Sequence, residues 1–552
     1  MKLTYLHCYA DDLWEGYEKN GLLRENFGIR FPQSIHLPEE LMFNELAKKD
    51  GKLYNYVKEH RCAFYIDRLQ GGSVFQNYEY DEDLLNEYED MLGDNFLGFQ
   101  MHEWFSNYRS EIFSKLKNVP ADAWTEENIL AEIRRKYPIK HLFIESMSLQ
   151  EMAACGRPQS AKELYDNATQ MYKRRLQKYK KLVPCDSYFM MFPFEAQNGA
   201  KLIMPEVGAQ SPDMRIQMCF ARGVTRAYGI SLGAYYEPWG GEPFSACNYQ
   251  ADEKNEWWIG NEDDFPFLTE GPNGGSSRSL QWRVHLYAYL CNADYICEEW
   301  GGYNTFKNRE TYELSEYGLV KKRFLDFVDK YSDLGEKVVP IGAILSNDEL
   351  CFTLRSLEWT LEDDAKTLFW FPLQGKELER WQKLKFDVEK IFSNKIPQYG
   401  NQYERQCLLN SDVPDAVDLL DEGDGRALKK YDYLVNLTGD PAFEKRYENC
   451  ITPDQVTEVL HEILPCKVLG GLHYVINRRG ENGYYLSIFN HNGVYRSVAQ
   501  GDTFAPEATK TVCVELKDNR VLKALEGSKD VVLKDGKYYV TVKGGDWFFG
   551  AF

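Results

Sequence analysis

Over roughly the first 335 residues, short aliphatic and aromatic runs alternate with longer stretches whose apolar residues recur every three or four positions. The short runs suit strands and the longer period suits helices. Strand followed by helix, repeated, predicts a parallel sheet with crossover helices. Eight runs read as strands: 3–8, 62–67, 96–101, 141–145, 187–192, 201–205, 230–236 and 294–298. Eight parallel strands close a (β/α)8 TIM barrel. Between the fourth and fifth, Ala161, Leu164, Tyr165, Ala168, Met171, Tyr172, Leu176 and Tyr179 form a helical stripe. Between the sixth and seventh, Ile216, Cys219, Phe220, Gly223, Val224 and Ala227 form another. Such stripes pack a helix against a sheet. If 3–8 is not the first strand, the count slips by one and 339–345 becomes the eighth.

The preferred reading ends the barrel domain at residue 337. The run Val339-Pro340-Ile341-Gly342-Ala343-Ile344-Leu345 then opens a flavodoxin-like α/β domain over 338–466, with Tyr433-Leu434-Val435-Asn436-Leu437 as a later strand. The pattern changes again over 467–552, which reads as a small antiparallel, β-sandwich-like domain. There Asp535-Gly536 separates Val531-Val532-Leu533 from Tyr538-Tyr539-Val540-Thr541-Val542. Asp-Gly between two such runs predicts a tight hairpin.

Composition narrows the functions. Asp plus Glu number 85 against 65 Lys plus Arg, a formal net charge of -20. That field repels nucleic acid and anionic membranes. No stretch approaches the roughly 18 apolar residues of a membrane helix. The 13 cysteines show no zinc-like spacing, and several lie in apolar runs, as Cys62, Cys219, Cys291 and Cys297 do. They read as reduced core residues, which favours a cytoplasmic protein, or a secreted one whose leader is absent from this sequence. Aromatics make up 14%, and their flat faces suit stacking against sugar rings.

Catalytic groups of a barrel enzyme sit where its strands end. The predicted strand ends carry Asp67-Arg68, His102-Glu103-Trp104, Glu145, Glu206, Tyr236-Glu237-Pro238-Trp239 and Glu298-Glu299-Trp300. A carboxylate beside a packed core is costly unless paired or used. Glycoside cleavage uses two: one protonates the leaving oxygen, and the other attacks the anomeric carbon or activates water. Each residue also has a structural reading. Asp67 can pair with Arg68, and Glu206 with Arg215 or Arg222 or a helix end. His102 serves equally as a proton-transfer partner or as a structural histidine. Glu298 and Glu299 must face opposite ways; Glu299 shares a face with Cys297 and Tyr295 and is the expected inward one. The segment 238–277, with Trp257, Trp258, Phe265 and Phe267, reads as an ordered substrate wall.

On these strand ends and this order of domains, the chain resembles the clan of retaining (β/α)8 glycoside hydrolases that includes the family 42 β-galactosidases. That clan also runs barrel, flavodoxin-like domain, small β domain. The resemblance implies an acid/base Glu ending strand four, a nucleophile Glu ending strand seven and a Trp after strand eight. Here these are Glu145, Glu237 and Trp300; Ile144 stands where the clan carries Asn. Glu206, Glu299 and Glu103 stay open as alternative catalytic residues, and the slipped count would employ Glu195 with Glu298 or Glu299. Asp67, Arg68, His102, Trp104, Tyr236, Trp239 and Trp300 are the expected substrate-binding set. The resemblance also implies homo-oligomers formed through the middle domain.

The leading expectation is hydrolysis of a neutral oligosaccharide or glycoside, retaining if the resemblance holds, with no metal and no cofactor. Two other readings compete. One is a metal-dependent barrel isomerase or deacetylase with ligands from His102, Glu103, Glu206 and Glu299. The other is a carbohydrate-binding barrel without catalysis.

Overall fold

The computed structural model describes residues 2–552, apart from 34–38, 68–77, 103, 106–107, 109–111, 113–115, 137–148, 186–190, 209–213, 238–276, 300, 302–304, 347–374, 394–407, 424, 482 and 498–500. Nine short strands make the first sheet: β1 Thr4–Cys8, β2 Phe27–Pro32, β3 Ala63–Asp67, β4 Phe96–His102, β5 Leu182–Cys185, β6 Leu202–Ile203, β7 Glu206–Gly208, β8 Ser231–Glu237 and β9 Tyr295–Glu298. All pairings are parallel, in the order β5-β4-β3-β2-β1-β9-β8-β6, with β7 also on β8. The ends of this path meet where Met204 N donates to Pro184 O at 3.1 Å. Since β6 and β7 share one position, the sheet is a (β/α)8 barrel.

Two strand assignments differ from the sequence reading. Phe27–Pro32 is the second barrel strand: Ile29 and Phe31 pack outward in the large core, while Arg30 faces the opposite way. The polar Arg30 in so short a run hides the strand. The fifth strand is Leu182–Cys185; of the predicted run 187–192, residues 187–190 lie outside the described residues and Phe192 opens the helix Phe192–Gln197. The eight positions are thus filled without 141–145, which lies outside the described residues. The first strand bonds to both β2 and β9, so the slipped count does not hold.

Alternation along the strands splits the core in two. Leu6, Ala63, Tyr65, Val183, Cys185, Leu202, Met204, Tyr235 and Cys297 fill the barrel interior, and the other faces meet the helices. The helix Ala161–Tyr179 begins at Ser160, whose side chain accepts from Glu163 N, and buries Leu164, Ala168, Met171 and Tyr172 as its stripe requires.

A second parallel sheet follows. Ile341–Leu345 lies between Val417–Asp421 and Tyr433–Asn436, and Cys450–Ile451 completes the four. Among the described strands the chain order across this sheet is 2-1-3-4. It packs on the barrel helix Met214–Tyr228, where Arg215 binds Asp415, Arg222 binds Asp418 and Gly223 lies against Leu419. The C-terminal region holds two four-stranded antiparallel sheets and a two-stranded ribbon. The predicted hairpin is present: Lys534 pairs with Lys537 across Asp535 and Gly536, both at positive φ. Among the described residues no helix is long and apolar enough to cross a membrane, and the ten described cysteines are all free.

Candidate active site at the barrel mouth

Above the apolar filling, the C-terminal ends of the strands carry a polar layer. Arg30 from β2 pairs with Asp67 at the end of β3 and donates to Tyr235 Oη of β8 at 2.9 Å. His102 ends β4 and lies near Tyr235, ring centroids 5.9 Å apart. Its Nε2 stands 3.9 Å from Glu206 Oε1, at the start of β7, and 3.8 Å from Glu299 Oε1, just beyond β9. Cys185 at the end of β5 completes the group. Burial pushes its thiol pKa well up, and the charges of Glu206, Asp67 and Glu299 add to that. Three carboxylates far apart in the chain therefore act on one buried point.

Glu206 and Glu299 are both buried. Each approaches the same imidazole nitrogen within 4 Å, so their Oε1 atoms lie inside the roughly 9.5 Å upper limit for paired glycosidase carboxyls. Two carboxyl groups this close can supply an acid and a base together.

Glu298 has a different place from its neighbour. It turns to the helix layer, where Lys321 Nζ lies at 2.8 Å, His285 Nε2 at 3.1 Å and Gln281 Nε2 at 2.6 Å. Burial alone would raise its pKa; Lys321 and His285 instead hold it far below the carboxylate range. Glu299 is left on the barrel side, as the strand alternation requires.

Other expected site residues separate. Trp104 is 1% exposed, and its ring packs with Phe194 and Tyr172 while Nε1 donates to Glu195 at 2.9 Å. It is a packed core ring and not an open sugar platform. Tyr236 turns outward onto His285, ring centroids 5.3 Å apart, and Tyr235 is the inward neighbour. Arg68, Glu103, Glu145, Trp239 and Trp300 lie outside the described residues. Glu237 ends the seventh barrel strand, its backbone paired with Gly208. Arg30, Cys185 and Tyr235 belong to the mouth without having been singled out by the sequence. Arg30 becomes legible once 27–32 is read as a strand with alternating faces. Arg215 and Arg222, the expected partners of Glu206, bind Asp415 and Asp418.

The chain matches no family model and no curated protein. Solved structures do resemble it. α-L-Fucosidase isoenzyme 2 from Paenibacillus thiaminolyticus is similar over 100% of this chain and 99% of its own, with 9% identity and a TM-score of 0.42. A polyextremophilic β-galactosidase from the Antarctic haloarchaeon Halorubrum lacusprofundi is similar over 99% of both chains, with 8% identity and a TM-score of 0.41. An α-amylase from H. orenii covers 70% of this chain with 57% of its own, at 8% identity and a TM-score of 0.22. Likeness this distant carries no argument about activity, which rests on the barrel mouth itself.

His102, Cys185 and Glu206 also offer one imidazole nitrogen, one sulfur and one carboxylate oxygen, all within 4.8 Å of one another. At metal–ligand distances of about 2.0–2.3 Å, three ligands of one zinc stand roughly 3–4 Å apart. A small inward shift would bring this group to that spacing.

Proposed function

We propose that the protein hydrolyses a glycosidic bond in a neutral oligosaccharide or glycoside, using two carboxyl groups at the barrel mouth. The observation that carries this reading is the convergence of Asp67, Glu206 and Glu299 on His102 and Cys185 from different strands. One carboxyl protonates the departing oxygen. The second attacks the anomeric carbon or activates water. Asp67, held by Arg30, is suited to accept substrate hydroxyl groups. With β4 as the fourth strand and β8 as the seventh, the strand-end rule of the resembling clan points to Glu103 and Glu237; Glu145 remains the choice of the linear reading. A screen of nitrophenyl glycosides with wild type and Glu→Gln variants at 103, 145, 206, 237 and 299 tests this. Hydrolysis that collapses in two of the five, with folding intact, supports the reading. Absence of hydrolysis, or retention of full activity by all five, overturns it.

The cluster of His102, Cys185 and Glu206 favours a second reading, a metal-dependent barrel enzyme. Stoichiometric zinc in the purified protein, with activity lost to a chelator and restored by the metal, would select it over the first.

A further inference from the structure

One of the C-terminal antiparallel sheets ends on an open strand. Its order is Cys466–Leu469, Lys510–Leu516, Lys537–Val542, Val531–Lys534. Among the described residues Val531–Lys534 pairs only with Lys537–Val542. An edge strand carries a row of backbone groups able to pair with another chain. This one is also apolar and uncovered, with Val532 54% and Leu533 60% exposed. Opposite charges flank that centre, Asp530 before it and Lys534 after it, both exposed.

The backbone decides how a further strand can join. Thr541 N donates to Asp530 O at 3.0 Å, and bonded and unbonded positions alternate along an antiparallel pair. The backbone groups of Asp530, Val532 and Lys534 therefore point at Lys537–Val542, and those of Val531 and Leu533 point to the open side. Residues directly opposite one another must have matching backbone orientation. A symmetric pairing with the same strand of a second copy must then centre on Val531, Val532 or Leu533. Centred on Val531, Asp530 meets valine; centred on Leu533, Val532 meets lysine. Centred on Val532, Asp530 stands opposite the partner's Lys534, Val532 opposite its own copy, and Val531 opposite the partner's Leu533. Opposite charges so placed stabilise antiparallel strands and like charges destabilise them. The Asp530–Lys534 and Val532–Val532 positions are of the unbonded kind, whose Cα atoms approach to about 4.5 Å, so their side chains meet closely. On the other face, Val531 and Leu533 continue the row of Val540 and Tyr538, both buried, and the partner strand would cover Leu533.

We propose that Val531–Lys534 is a dimerisation edge, where two copies of this chain join antiparallel about Val532 into one continuous sheet. The segment Asp530-Val531-Val532-Leu533-Lys534 is complementary to its own reversal in charge, in apolar centre and in backbone parity, and that self-match selects a second copy as the occupant. The inference does not depend on the chemistry of the barrel mouth, and it places the contact in the C-terminal region and not in the middle domain.

The test is sedimentation velocity on the full chain from about 0.1 to about 100 μM, a span that covers moderate and weak association. The proteins are wild type, Asp530→Lys, Lys534→Asp and the double variant Asp530→Lys/Lys534→Asp. Wild type should shift with concentration to a species of twice the mass of the chain. Each single variant sets like charges opposite one another at both symmetric positions and should weaken dimerisation about tenfold or more. The double variant exchanges the two charges, restores the match and should dimerise as wild type does. Both side chains are exposed, so melting temperatures at the lowest concentration should agree across the four proteins, which separates lost association from lost folding. The proposal is overturned if wild type stays monomeric throughout, which would leave the edge to an extended segment of another protein or to none. It is equally overturned if the single variants dimerise as wild type does, which would place the contact on another face, or if the double variant fails to recover.

Discussion

Glu206 and Glu299 face one another across a single imidazole nitrogen, 3.9 and 3.8 Å from His102 Nε2. They come from the sixth and eighth barrel positions, on either side of β8 in the sheet, while His102 comes from the fourth. If they carry the chemistry, Glu206→Gln and Glu299→Gln should each lower kcat/KM by about a hundredfold or more, the scale of a lost acid or base. The replacement is isosteric, so melting temperatures should stay close to wild type. Steady-state kinetics beside thermal unfolding separates the two effects; an unchanged kcat/KM in both variants removes the pair from the mechanism.

Glu298 should behave in the opposite way. It is enclosed by Lys321, His285 and Gln281, and breaking such a buried pair from one side leaves an unmatched charge. Glu298→Gln is expected to cost about 3–5 kcal/mol in stability. Lys321→Met in the same background should recover part of that. Urea denaturation of the two single variants and the double variant measures the coupling; simple additivity would show that the pair does not act as a unit.

A third prediction concerns acid. Arg283 has only protons to give, so its bond of 2.6 Å makes His491 Nδ1 an acceptor. The His491 Nε2–H then donates to His473 Nδ1 at 2.8 Å, and the His473 Nε2–H donates to Asp415 at 2.6 Å. This chain of neutral rings ties a barrel helix to the C-terminal strands and to the middle sheet. Burial lowers the His473 pKa from 6.5 to about 4, against the pull of Asp415, and lowers that of His491 as well. Unfolding releases the rings to take up protons, so their contribution is whole above about pH 6.5 and is lost as pH falls toward 4. Burial by itself would raise the Asp415 pKa, but Arg215 and His473 hold it well below its usual 3.8. Its share is lost at still lower pH, in the same direction. Stability should drop by about 2 kcal/mol from His473 alone between pH 6.5 and 4.5. Denaturant melts across that range should show the slope, and His473→Asn should flatten it. An equal slope in both proteins would refute the assignment.

A fourth prediction probes how the middle sheet is seated. A Cβ on Gly223 would meet the Leu419 carbonyl oxygen at 2.1 Å, a backbone atom that cannot swing aside. Gly223→Ala should therefore destabilise by about 1–3 kcal/mol despite its better helix propensity. Calorimetry on this variant, with Gly229→Ala as an unpacked comparison, reads the difference. Gly229 is itself at positive φ, so its cost is local backbone strain without displacement of the sheet.

Much of the architecture could be read in the chain. The strand–helix rhythm announced the barrel, Leu164, Ala168, Met171 and Tyr172 of the 161–179 stripe were buried, and Asp535-Gly536 made its hairpin. What escaped was local. Phe27–Pro32 carries Arg30 at an inward position, and a charged residue in so short a strand looks like a loop until its partner Asp67 is known. Leu182–Cys185 is only four residues long, contains Pro184 and is overshadowed by the more apolar run that follows. Missing Phe27–Pro32 while counting 141–145 left the total at eight but moved the fourth position from 141–145 to Phe96–His102.

The sequence by itself determined which residues share a face. Period-two alternation put Glu299 with Cys297 and set Glu298 against it, because successive side chains of a strand cannot point the same way. Which faces meet was decided only by the tertiary structure. Closing the sheet set His102 between Glu206 and Glu299, and docking three layers set Asp415 against His473. Contacts between residues so distant in the chain depend on the curvature and packing of the whole sheet, and no local pattern carries that information.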